Sequence, residues 1–222
     1  MPRTVVWVPF RPSPDGWRQR IFDHVLPTIE ALGYDVIIRD SGDEPWSIAR
    51  TWNLCAQDSG DWDKAIRWGA DFLIEKAESV HAAVAAAGPG APYVSCFDTV
   101  TKLAQRETRD VLAGGKLPTR RDALPFGGPS VITREAFETV GGYDPRFIGW
   151  GHEDRVFVHS IETLCGKRTR VPGRMIMLRH PGRAHLTDDP YYANLRTNIR
   201  MWREYQNLTG DALAAHIREA RA

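Results

Sequence analysis

The sequence predicts a single α/β domain whose central sheet is mostly parallel and flanked by helices. Three features point there. The first forty residues read strand, helix, strand, and later short apolar runs are set apart by Gly and Pro. The 222 residues, 42% hydrophobic and 26% charged, suit one globular domain and exclude a disordered or fibrous chain.

Residues 5–8, Val-Val-Trp-Val, form an apolar run closed by Pro9, the pattern of a buried strand. Residues 11–16 hold two prolines and a glycine and read as a loop. Trp17, Ile21, Phe22, Val25, Leu26, Ile29 and Leu32 then recur at helical spacing up to Gly33, a natural stop. Pro27 lies inside this helix and is expected to kink it. Residues 36–38 are the second strand, and two strands joined through a helix run parallel. Ser47 is placed to cap a helix running through Trp52 to about Gln57. Residues 66–68 fit a strand, or equally a helix, with Gly69-Ala70-Asp71 at the carboxyl end. An alanine-rich helix over 75–87 stops at Gly88-Pro89-Gly90, and a strand follows over 93–97. The polar, basic stretch 102–121 reads as a mobile loop or frayed helix. A helix over 157–164, a strand over 175–178 and two polar helices between about 191 and 220 complete the chain.

Twenty-nine Lys and Arg against 28 Asp and Glu leave a net charge of +1, so no overall field draws the chain onto nucleic acid or membrane. Cys55, Cys96 and Cys165 are odd in number and lack CxxC spacing, which argues against a disulfide framework or a thiolate zinc site. A reducing, cytoplasmic compartment is expected. No apolar run reaches the roughly 18 residues of a membrane span, and the first is too short for a signal peptide. The basic residues gather in two stretches, Arg106, Arg109, Lys116, Arg120 and Arg121, then Lys167, Arg168, Arg170, Arg174, Arg179 and Arg183. They read as solvated faces, with a modified nucleic-acid acceptor as the sharper alternative.

The densest chemistry lies in 126–154. Phe126-Gly127-Gly128 is followed by Phe137, by Gly141-Gly142-Tyr143-Asp144, and by Gly149-Trp150-Gly151-His152-Glu153-Asp154. Glycines permit positive φ and close approach of backbone to a ligand. Flat aromatic faces suit a sugar ring, and two adjacent carboxylates after the last glycine can include a general base.

These residues resemble the carboxyl-terminal signature of β-1,4-galactosyltransferase-like enzymes, inverting glycosyltransferases of the GT-A fold, the nucleotide-diphospho-sugar transferase type. Pro9-Phe10-Arg11 resembles that family's Pro-Phe-Arg, Gly69-Ala70-Asp71 falls where it has Asp-X-Asp, and Met177-Leu178-Arg179-His180 is similar to its Met-X-Arg-His. The resemblance covers roughly 5–180. It implies a hexose moved from a UDP-sugar to a hydroxyl acceptor with inversion, assisted by Mn²⁺ or Mg²⁺. A nucleotide-binding half would occupy about 1–100 and an acceptor and catalytic half about 120–222. Pro9, Phe10 and Arg11 would hold the nucleotide. Arg50, Asp71, Gly128, Trp150 and Arg179 would complete the donor site, with Arg11 and Arg179 as phosphate clamps and Trp150 on a hinged, closing loop. Asp71, Met177 and His180 would ligate the metal. Asp154 would be the general base, and Glu153 would orient the acceptor, a glycan or protein.

The sequence also departs from that pattern. Gly69 stands where the first acid of Asp-X-Asp is expected, and Arg155-Val156 follow Glu153-Asp154 in place of further acids. An N-acetylglucosamine acceptor is therefore disfavoured. The lack of a Golgi-type anchor fits a bacterial or viral-type enzyme. Two other readings stay open: a retaining enzyme similar to the polypeptide N-acetylgalactosaminyltransferases, and a non-catalytic sugar- or nucleotide-binding module with a degenerate Asp-X-Asp.

Overall fold

The computed structural model describes residues 2–179 and 193–221. Strand β1 (Thr4–Pro9) is buried from Val5 onward because it lies between two parallel neighbours, β2 (Asp35–Arg39) and β3 (Lys64–Arg67). Its side chains alternate, so Val5 and Trp7 enter one apolar cluster while Val6 and Val8 enter another on the opposite face. Helix α1 (Trp17–Glu30) connects β1 to β2, buries Ile21, Phe22, Val25 and Ile29, and contains Pro27. The chain leaves it through Gly33 at φ 77°, a left-handed turn that glycine adopts without strain. Helix α2 (Ile48–Asp58) starts where Ser47 Oγ accepts the Arg50 N–H at 3.2 Å.

After β3 the chain forms β4 (Phe72–Ile74), α3 (Ala77–Ala86), β5 (Tyr93–Ser95) and β6 (Thr99–Lys102). It continues through α4 (Gln105–Leu112), β7 (Ser130–Thr133), α5 (Arg134–Thr139) and α6 (Glu153–Leu164). Strands β8 (Thr169–Arg170) and β9 (Arg174–Met177) precede the last two described helices, α7 (Leu195–Tyr205) and α8 (Gly210–Arg221). The main sheet has the order β2-β1-β3-β7-β5-β8. Only β7 runs antiparallel within it, pairing that way with both β3 and β5. A second sheet, β4-β9-β6, sets β9 antiparallel to β4 and parallel to β6.

Several expectations change. Residues 66–68 resolve to a strand that ends at Arg67. The stretch 102–121 is not a frayed loop. It contains α4, where Glu107 accepts the Ala104 N–H at 2.7 Å, and Arg120 then pairs with Glu107 at 2.5 Å. Helix α6 begins at Glu153, four residues before the apolar pattern starts at Phe157, because the glycine turn before it delivers two acids into the first turn. No helix among the described residues is long and apolar enough to cross a membrane.

One buried carboxylate joins the terminal helices to the rest. Asp144, 2% exposed, accepts the Tyr205 hydroxyl at 2.8 Å and the Arg146 Nη2 at 2.7 Å. Burial acts to raise its pKa, but Arg146 and the Tyr205 hydroxyl outweigh that and hold it below the usual carboxylate range. A depressed carboxylate contributes stability above the ordinary pKa and loses it as pH falls through the folded value. Asp144→Asn is therefore expected to cost about 1.5–3 kcal/mol at neutral pH. Thermal melts of both proteins should converge as the pH is lowered below the ordinary carboxylate pKa.

Candidate functional site

The chain passes from β1 out to β2, and β3 then adds on the other side of β1. At such a switch the connections diverge beyond the carboxyl ends of the strands and leave a crevice, the place where open α/β sheets bind ligands. A cleft opens there. Pro9 from β1, Arg67 from β3 and the following Gly69 and Asp71 form its floor. Trp46, Trp52 and Trp150 supply aromatic walls, and Gly128, Glu153, Asp154, Met177 and Arg18 close the remaining sides.

At the centre is Arg67, 2% exposed. Its guanidinium carbon lies 4.8 Å from the Trp52 ring, 5.1 Å from both the Tyr143 and Phe157 rings and 5.8 Å from Tyr93. Tyr143 and Phe157 stack on each other at 4.0 Å. Within this aromatic box Arg67 donates to Asp154 Oδ1 at 2.6 Å and to the Tyr93 hydroxyl at 2.7 Å. Burial acts to lower the Arg67 pKa, but the surrounding Tyr143, Tyr93 and Asp154 raise it, so the cation persists. Tyr143 also donates to Asp154 Oδ1, at 3.0 Å. Among the described residues no hydrogen bond reaches Oδ2. A Cβ at Gly127 would lie 2.2 Å from Oδ2, so only glycine fits beside it. Gly128 meets the Phe97 ring in the same way, 2.7 Å from where its Cβ would be, and at φ 135°.

Glu153 precedes Asp154 in the first turn of α6 and accepts the Gly151 N–H at 3.1 Å. Desolvation, reinforced by the adjacent Asp154 carboxylate, pushes Glu153 up to about 8. The Trp150 segment is fastened at several points. Gly149 N–H donates to Trp46 O at 2.9 Å, and Ser47 Oγ donates to Phe147 O at 2.8 Å. Asn198 on α7 donates to Ile148 O at 3.0 Å and to Trp150 O at 3.1 Å. The hinged loop expected around Trp150 is thus tied, in this structure, to α2 and α7. His152 takes φ 70°, a left-handed position a side chain rarely adopts.

On the opposite side, strand pairing brings Asp71 beside Met177. Phe72 is in register with Met177, and Leu178 N–H donates to Asp71 O at 2.9 Å. His180 lies outside the described residues. Where a Cβ on Gly69 would be, the Phe72 ring stands 2.6 Å away, so the missing acid's place is filled by an aromatic ring. Among the described residues no cluster of three or more His, Cys, Asp or Glu forms a protein-only metal cage. One carboxylate and one thioether at a cleft wall fit a divalent ion whose remaining ligands come from substrate phosphates and water.

The sequence-derived residues divide. Pro9, Asp71, Gly128, Trp150, Glu153, Asp154 and Met177 all line the cleft. Phe10 stacks on Phe22 at 4.1 Å and borders a small adjoining pocket with Arg18 and Asp71. Arg11 is held by Asp40 at 2.7 Å, Glu44 at 2.8 Å and Asp43 O at 2.8 Å, which makes it a strut of its loop. Arg50 likewise braces Asp43 at 2.8 Å and Pro145 O at 3.0 Å. Arg179 is exposed and is not among the cleft-lining side chains. Two residues escaped the sequence reading. Arg67 was hidden inside an apolar strand, where a lone Arg ending a buried run was the only signal. Arg18 sits at an outward helical position, with its guanidinium carbon 4.9 Å from the Trp46 ring centroid.

The family model described as the N-terminal domain of galactosyltransferase matches residues 119–181, which carry Gly127, Gly128, the Glu153–Asp154 pair and Met177. Over that segment the chain is galactosyltransferase-like. Its fold is that of GT-A nucleotide-sugar transferases. A Drosophila β-1,4-galactosyltransferase 7 mutant, in complex with manganese, UDP-Gal and xylobiose, superposes with TM-score 0.58 at 17% identity, over 83% of this chain and 73% of that one. The mannosyltransferase PcManGT of Pyrobaculum calidifontis, in complex with GDP-Man and Mn²⁺, gives 0.59 at 14% identity, over 99% and 69%. GalNAc-T7 with UDP, GalNAc and Mn²⁺ gives 0.53 at 14%, over 100% and 54%. At these identities the similarity speaks for the fold alone. No curated protein sequence matches the chain.

The raised Glu153 has a measurable consequence. An acid whose folded pKa is raised binds more protons folded than unfolded, so its contribution is most favourable below the unfolded pKa and is lost as pH rises through the folded one. Glu153→Gln removes the charge. Its melting temperature relative to the original should climb between about pH 5 and the folded pKa near 8. A constant difference across that window would contradict the burial of this carboxyl.

Proposed function

We propose that the chain is an inverting, metal-assisted glycosyltransferase that moves a hexose from a UDP-sugar to a hydroxyl acceptor, with Asp154 as general base. One observation carries this reading. Oδ1 of Asp154, a cleft-lining residue, is clamped by Arg67 and Tyr143, while Oδ2 has no hydrogen bond among the described residues. The galactosyltransferase match over 119–181 and the GT-A fold support it, as do the UDP-sugar and manganese in the Drosophila complex.

In the proposed reaction Oδ2 takes the proton of the acceptor hydroxyl as that oxygen attacks the anomeric carbon in line. The bond from that carbon to the diphosphate oxygen breaks, UDP departs with the electron pair, and configuration inverts. Glu153, neutral below its raised pKa, orients the acceptor by hydrogen bonding. Asp71 and Met177, with His180, would hold a divalent ion, Mn²⁺ or Mg²⁺, which would supply neutralisation of the departing diphosphate. Arg18, stacked on Trp46 at the cleft and free of any salt bridge among the described residues, is assigned the clamp role expected of Arg11. On this reading residues of about 1–100 would bind the nucleotide and those of about 120–222 would serve the acceptor and catalysis. Three unpaired cysteines support a cytoplasmic setting.

Asp154→Asn should retain UDP affinity within about two-fold while transfer falls by about 10²–10⁴. Gly127→Ala, which crowds Oδ2, should fall the same way. Asp71→Ala should abolish the manganese dependence of UDP binding in a calorimetric titration. NMR of the glycoside formed should show an anomeric configuration opposite to the donor's. Retained configuration would favour the N-acetylgalactosaminyltransferase-like alternative, and an absence of UDP binding with any metal would leave only a binding module.

A further inference from the structure

The corner beside Asp154 carries an arrangement of cations that the donor chemistry does not use. Arg155, the next residue on α6, is exposed and holds its guanidinium carbon 5.5 Å from the Phe126 ring centroid. Arg168 approaches the same ring at 5.1 Å and donates to Phe126 O at 3.1 Å. Arg170 lies 5.4 Å over Phe97 and reaches Phe97 O at 3.4 Å. Phe126 and Phe97 flank the Gly127-Gly128 corner, Phe126 by sequence and Phe97 by packing on Gly128. The guanidiniums therefore surround the turn whose other side touches the Asp154 carboxylate.

Stability alone does not account for this cluster. A cation in the first turn of a helix opposes the macrodipole, and Arg155 occupies that turn of α6. Among the described residues it has no carboxylate partner. Among the described residues the only carboxylate Arg168 meets is Glu162, at a loose 3.6 Å. Arg170 feels Asp98 and Glu162 at longer range, yet its pKa is lowered, first by burial and then by Arg168. By contrast Arg120, Arg134 and Arg174 are each closely paired with acids, Glu107, Glu138 and Glu75. Stacking on an aromatic face occupies the flat side of a guanidinium and leaves its N–H edge for a planar or tetrahedral oxyanion. Phe126, 38% exposed, keeps this platform at the surface.

We propose that Arg155, Arg168 and Arg170 form an acceptor subsite for an anionic group of the phosphate class, so that the hydroxyl delivered to Asp154 belongs to a phosphate-bearing molecule. This rests on the reading of Asp154 as the base and gives its acceptor a chemical class. It also assigns a purpose to Arg155, where the family pattern continues with acids.

The test is calorimetric and uses protein saturated with UDP and Mn²⁺, so that the donor site cannot capture phosphate. Glucose and glucose 6-phosphate are titrated as a matched pair, and a ten-nucleotide oligothymidylate distinguishes a phosphodiester source from a phosphomonoester one. Phosphate-bearing titrants are expected to bind at least ten-fold more tightly than glucose. Arg155→Ala and Arg168→Ala should each weaken them at least five-fold, Arg155→Glu should abolish the preference, and Arg218→Ala on α8 should leave it intact. Equal binding of glucose and glucose 6-phosphate, or phosphate binding undiminished in Arg155→Glu, would overturn the proposal. A separate UDP titration of each protein tests the donor site. If UDP fails to bind, the transferase reading falls, and phosphate titration of the unliganded protein against Arg155→Glu still decides the subsite.

Discussion

The site depends on one ion pair, a buried guanidinium and a half-buried carboxylate. A guanidinium taken out of water is costly unless its charge and N–H groups are answered; at Arg67 the charge and both Nη groups are answered, and among the described residues only the buried Nε–H lacks a partner. Four aromatic rings contact it, two hydroxyls and a carboxylate accept from it, and the carboxylate is Asp154. The residues that build this box come from α2, β5, β7, the Gly-Gly-Tyr-Asp turn and α6. A change in the packing of any of these elements is transmitted to the orientation of one carboxylate. Because Oδ1 takes both hydrogen bonds, the plane of the carboxylate and the direction of Oδ2 are set by the core rather than by solvent.

The same economy appears in the backbone around the pair. The turn from Gly149 to His152 is left-handed at three of its four residues, and it reverses the chain so sharply that two acids enter α6 side by side. Its carbonyls are held by Asn198 and its N–H groups by Trp46 and Glu153. Strain at His152 is thus stored in a segment anchored on both sides, which is how an uncommon φ persists. Positive φ here is a means of aiming carboxylates.

Much of this was legible because its signals are local. The β1 run, the Ser47 cap, the Gly33 stop and the glycine-aromatic segment each declare themselves within a few residues, and Glu153 and Asp154 are neighbours in the chain. What escaped was long-range or short. Arg67 meets Asp154 across 87 positions, and no periodicity in β3 reveals a partner so far away. Arg11 and Arg18 look equivalent in sequence, and only the fold brings Asp40 and Glu44 to the first and Trp46 to the second. Strands β4, β6, β7 and β8, of two to four residues, are too brief for alternation to register. Their identity comes from the neighbours they pair with. Helix α4 hid for a different reason, since its single buried apolar residue, Val111, leaves almost no hydrophobic stripe.

The Phe72 ring beside Gly69 has a consequence for how this protein can change. A side chain at 69 would collide with that ring, and Asp71 Oδ1 stands 3.2 Å from the same point. Restoring an acid there is therefore not a one-step substitution. It would require a smaller residue at 72 first, and that residue would surrender the packing Phe72 gives to the second sheet before any second carboxylate was gained. The obstacle at position 69 is the Phe72 ring and not the backbone, since Gly69 does not take a left-handed conformation.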